Sequence, residues 1–177
     1  VINMHWGQHV GHTIDKSMKH IDTHGFYMDW IDSQSGVYQF FFQQPCDTPQ
    51  GSDLALGAIT PIWTDGALSH EDRVIEQYPF YPCALTFAER SWRGAREKRT
   101  DLMAKLPQPG TEAYKAFAEF EDRLVQHRDR FFTDQPFAYV KQSHIPWRLI
   151  GPFDHKGQND TVFEPERIIK DTYQDGD

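Results

Sequence analysis

Cysteine is scarce in this sequence, with only Cys46 and Cys83 among 177 residues. That excludes a small scaffold held by many disulfides, and two thiols that can either pair or stay free do not define a redox compartment. Cys83, between Pro82 and Ala84, reads as a free buried thiol. A basic excess is also missing. Lys and Arg total 18 against 26 Asp and Glu, for a net charge of −8. Nucleic acid is therefore not an expected partner, because neutralising phosphates needs clustered cations. The one cationic concentration, "RSWRGAREKRTDLMAK" at 90–105, reads as a solvated helix or loop face. No apolar run approaches the roughly 20 residues of a membrane span. No signal-peptide pattern is present, and the chain starts at Val1 in what already reads as a strand, so a fragment cut at both ends is expected.

What the chain does have is aromatic residues, 14% of the total. Val1–Trp6 reads as a short buried strand, and Val10, Ile14, Met18 and Ile21 have helical spacing over 9–20. Gly25–Trp30 reads as a second strand and Leu56–Trp63 as a third, continuously apolar as in parallel sheets covered on both faces. Between them lies an aromatic segment, "VYQFFF", and a loop rich in Pro and Gly. Ser69 is a candidate N-cap with Asp72 three residues on. A helix is predicted after Pro82, with Leu85, Ala88 and Trp92 along one face. This is a β/α alternation of at most three units.

Beyond a polar linker at 95–110, "TEAYKAFAEFEDRLVQHRDRFF" (111–132) predicts a long helix. Thr111 is its candidate cap, and Phe117, Phe120, Leu124 and Phe131 form its apolar stripe. From 133 to 177 the pattern is turn-rich and strand-like, as at the start of a β-rich module.

Two short patterns carry possible chemistry. Tyr27 and Asp29 stand two apart where one strand reading stops, and Trp63 and Asp65 do the same at the next. Side chains two apart on a strand point the same way. At the C-terminal ends of barrel strands such pairs, with Trp6, would face one mouth. Aromatic faces stack on sugars, and carboxylates accept charge-assisted hydrogen bonds from hydroxyls. The competing reading of each pair is structural: aromatics near strand ends pack cores, and Asp is a common turn residue.

Three other groups read as structural. His5, His9 and His12 have zinc-like spacing, but Gly7 breaks a helical register and no HExxH is present. No metal or cofactor is expected. Glu89 and Arg90 read as a structural pair on an outer helix, and Trp147 and Phe153 as core of the β-rich module.

The Trp6 strand, "FYMD" (26–29), "LGAITPIWTD" (56–65) and "YPCALTFAERSWRG" (81–94) together resemble the last quarter of the catalytic barrel of glycoside hydrolase family 20, the β-N-acetylhexosaminidases. "FEDRLVQHRDRFF" (120–132) and "FAYVKQSHIPWRLIGPFDHKG" (137–157) resemble a bacterial sub-branch of that family. The resemblance implies an α/β fold: 1–94 as about strands six to eight of a (β/α)8 TIM barrel, 95–132 as linker and long helix packed on it, and 133–177 as a truncated β-rich module. It implies an exo-glycosidase that removes terminal N-acetylhexosamines by substrate-assisted retention, with the Asp-Glu pair upstream of Val1 and the isolated chain inactive. Tyr27 then orients the acetamido group. Trp6 walls the acetamido pocket, Asp29 binds outer hydroxyls, and Trp63 lies under the sugar. Asp65 stands where most members have Glu, a shorter carboxylate that implies a divergent substrate. The partner is a glycan, and enzymes of this kind are usually exported, which implies a periplasmic or extracellular location. Two other readings stand beside it: a non-catalytic glycan-binding relative that keeps the pocket, and an unrelated small α/β protein.

Overall fold

In the computed structural model, the described residues are 1–5, 15–29, 31–64, 68–94, 107 and 109–143. Three short strands, β1 (Asn3–His5), β2 (His20–Asp22) and β3 (Ala55–Ala58), form a parallel sheet in the order β1-β2-β3. Sequential neighbours running in one direction require crossovers, and α1 (Ser33–Phe42) lies in the crossover from β2 to β3. A short α2 (Val74–Gln77), then α3 (Phe80–Arg93) and α4 (Glu112–Phe131), follow β3.

The strands are shorter than predicted, and β2 lies elsewhere. It spans His20–Asp22, whereas the expected strand at 25–30 is a loop where described, with bends at Gly25 and Met28 and a turn at Asp29. Pairing starts early because the His20 amide donates to Leu54 O (2.8 Å) and the Asn3 amide to Lys19 O (2.7 Å). It ends early because Pro61, opposite the expected strand, has no N–H to give a ladder. The register slips between His20 and Ile21, which pair with Ala55 and Gly57, so Leu56 is an extra residue. Gly57 makes this bulge possible: its φ of 138° lies where side chains are rarely tolerated. The helix expected over 9–20 does not reach its end, since 15–18 form a turn held by Ser17 donating from its amide and hydroxyl to Asp15 Oδ1. Residues 6–14 lie outside the described set.

The aromatic segment at 37–42 is the buried heart of α1. Asp32 caps the helix, its Oδ1 accepting from the Gln34 and Ser35 amides at 2.8 and 2.9 Å. A helix apolar nearly all round must be covered on several sides. Val37, Tyr38, Phe41 and Phe42 meet Phe117, Phe120 and Leu124 of α4, with Phe137 and Tyr139 beyond. Phe40 turns to Phe26, Met28 and Cys83. Gly36 allows α3 to approach, since a Cβ there would lie 2.5 Å from Cys83 Sγ. Both cysteines are free and buried.

The stripes on the later helices differ from expectation. On α3 the buried residues are Pro82, Cys83, Thr86 and Arg90, whereas Trp92 is 91% exposed. The polar members fit because the Thr86 hydroxyl donates to Pro82 O (2.6 Å) and the Arg90 guanidinium lies 4.2 Å from the Phe41 ring centre. Glu89 does not pair with Arg90; it joins α3 to α4 through Arg123 (2.6 Å). Ser69 does not cap: its amide and hydroxyl are both bonded by the Gln77 side chain. Thr111 caps α4 as predicted, accepting from the Tyr114 amide. Phe117, Phe120 and Leu124 are buried as predicted, but Phe131 is exposed at the end of the helix.

Residues 133–143 contain no strand, and Phe137 and Tyr139 belong to the α1–α4 core. Buried Glu121 of α4 anchors them, accepting from the Tyr139 hydroxyl (2.5 Å) and the Gln142 (2.6 Å) and Ser143 (2.9 Å) amides. Phe137 and Tyr139, past the expected boundary at 133, thus pack in this core, and the rest of the expected β-rich module, 144–177, lies outside the described residues.

Candidate functional site

In a parallel sheet every strand end of one kind lies along one edge, so the segments after β2 and β3 leave the sheet side by side. Asp22, the last residue of β2, organises the exit. Its carbonyl accepts from the Ile59 amide (2.9 Å) just past β3. Its carboxylate accepts from the His24 amide (3.0 Å) and, through the other oxygen, from the Cys46 amide (3.2 Å). Cys46, in a 3₁₀ turn at Pro45–Asp47, donates its thiol to Gly57 O at 3.0 Å. The turn is thereby clasped to both strands.

Beyond the sheet the two segments remain joined. The Thr60 hydroxyl donates to Phe26 O at 2.6 Å, and the Met28 amide donates to Pro61 O at 3.2 Å. Phe26 and Met28 are buried with Phe40 and Cys83, and Ile62 packs on the same cluster. Between these inward residues the chain leaves Tyr27 half-buried and Trp63 46% exposed. Asp29, by contrast, is only 6% exposed, which gives a ligand little access to its carboxylate. The structure thus brings the Tyr27 and Trp63 segments together at one sheet edge. Trp6 and Asp65 lie outside the described residues, as do His9, His12, Trp147 and Phe153.

Compared with protein-family models, curated proteins and solved structures, the chain matches none. Its chemistry is therefore argued from its own residues. A phenol and an indole face on adjacent segments can bind an apolar ring face and hydrogen-bond a polar substituent. Among the described residues no group of three or more His, Cys, Asp or Glu side chains could hold a metal ion. No helix among them is long and apolar enough to cross a membrane.

A concavity of about 490 Å³ lies where α1 and α3 begin, lined by Ile31, Asp32, Glu76, Tyr78, Pro79 and Phe137 among others. Tyr27 and Trp63 do not line it. Sequence reading passed over Asp22 and Thr60. The signal for Thr60 was present in "ITPIW": a hydroxyl donor beside a proline that cannot donate.

Proposed function

We propose that this chain is the substrate-binding part of a family 20-like exo-glycosidase, hydrolysing terminal N-acetylhexosamines with an Asp-Glu pair supplied from upstream. The observation that carries the reading is the joining of the Tyr27 and Trp63 segments at one edge of a sequential parallel sheet. Such an edge is where βα folds build their sites. In this reading Trp63 is the platform for the sugar, and the Tyr27 phenol holds the acetamido oxygen in line for attack. Asp29, 6% exposed, is left out of the sugar contacts in this reading. The apolar surface on the sheet side, where Ile2, Met4, Leu56 and Ile59 are 41–55% exposed, is the kind that further βα units cover in a barrel.

The test is a titration of the chain with N-acetylglucosamine followed by tryptophan fluorescence, with glucose as the control. A response to the N-acetyl sugar alone supports the reading, and no response removes it. In a protein that includes the upstream strands, Tyr27→Phe should lower kcat on N-acetyl substrates by about 10- to 100-fold, since a transition-state hydrogen bond is lost. An unchanged kcat would take Tyr27 out of the site.

A further inference from the structure

We propose that Thr60 is a positioning residue: its hydroxyl holds the Tyr27 segment against the segment that carries Trp63. The inference rests on the sugar reading above and names a residue that reading does not include. Past β3, Pro61 cannot donate a backbone hydrogen bond, so no regular ladder can tie the two segments together. Thr60 supplies the missing donor from its side chain. Its bond to Phe26 O, at 2.6 Å, acts on the residue just before Tyr27. The Met28 amide, bonded to Pro61 O at 3.2 Å, acts just after it. Tyr27 is therefore held on both sides by the segment that continues into Trp63. A binding group contributes fully only when held to within about half an ångström, so a side chain that never touches the sugar can set its affinity.

Thr60→Val keeps the shape and loses the donor; Thr60→Ser keeps the donor. Two signals are read on the full chain: amide hydrogen exchange at Met28, and affinity for N-acetylglucosamine. Thr60→Val should speed Met28 exchange and weaken the sugar by about 5-fold each, the effect of one neutral hydrogen bond. Exchange at Tyr38–Phe42 in α1 should stay unchanged, which separates a local effect from a general loss of stability. Thr60→Ser should restore both signals. Should Thr60→Val unfold, Thr60→Ala reads the same pair. Unchanged Met28 exchange in the donorless variant overturns the proposal, as does faster exchange with unaltered sugar affinity. If the wild-type chain ignores N-acetylglucosamine, the sugar reading fails, and Met28 exchange still decides whether Thr60 holds the Tyr27 segment.

Discussion

The helical side and the sheet side of this molecule are held in different ways. On the helical side, Phe41 alone touches Phe42, Phe117 and Phe120 at centroid distances of 5.0–5.2 Å, with Arg90 over its ring. Phe41, Phe42 and Phe117 each have several ring partners, so losing one contact leaves others. On the sheet side the strands are three or four residues long, and the segments beyond them are tied by single hydrogen bonds. Met4 and Leu56 are 55% and 43% exposed. The stable part of the molecule thus carries little recognisable chemistry, and the candidate site sits on the sparsely tied part. Binding residues are commonly found on loops that a rigid scaffold positions.

Phe41→Ala should have the largest effect, about 3–5 kcal/mol from lost ring burial and a residual cavity. Urea unfolding reads it as a lower midpoint at constant slope. A cost below about 1 kcal/mol, the centre of the range for ordinary substitutions, would show that the aromatic layer is not the stabilising half. Gly36→Ala should come next, at about 1–3 kcal/mol, because the new methyl collides with Cys83 Sγ and α1 and α3 must part. Iodoacetamide sharpens this: burial pushes the Cys83 thiol well above its ordinary value of 9.0, so it should resist alkylation in the wild type and react faster in the variant.

A pH effect belongs to the helical side as well. Burial, and then the Glu121 carboxylate, push the Tyr139 phenol well above its ordinary value of 10.0. The folded state therefore keeps a proton that the unfolded chain releases. The associated stability is complete below pH 10 and is lost as the pH rises beyond it. Alkaline melts should show this slope, and Tyr139→Phe should flatten it. Met4→Ser is expected to do least, within about 0.5 kcal/mol, as for other exposed positions. A larger cost for the chain on its own would mean that the sheet face is covered in solution, and the contrast between the two sides would fail.

Local chemistry was legible where it acts alone. Thr111 caps α4 because a hydroxyl before a helical run satisfies a free amide in any surroundings, and the 117–120–124 stripe is buried as the periodicity requires. The second strand was misplaced because apolar runs mark burial, and burial is common to strand, loop and helix. "VYQFFF" carries no period that tells these apart, and its helix depends on Asp32 and on partners from α3 and α4. The Tyr27 and Trp63 segments were legible as motifs, but their joining was not, since it runs through Thr60 and a carbonyl 34 residues away.

By itself, the sequence determined the start of α4 and its 117–120–124 stripe, because each follows from neighbours along the chain. Only the tertiary structure decided where pairing begins, which side chains of α3 are buried, and how Asp22 and Thr60 tie two segments at one edge. Those outcomes depend on which partners long-range packing brings within hydrogen-bonding distance, and no local pattern encodes that distance.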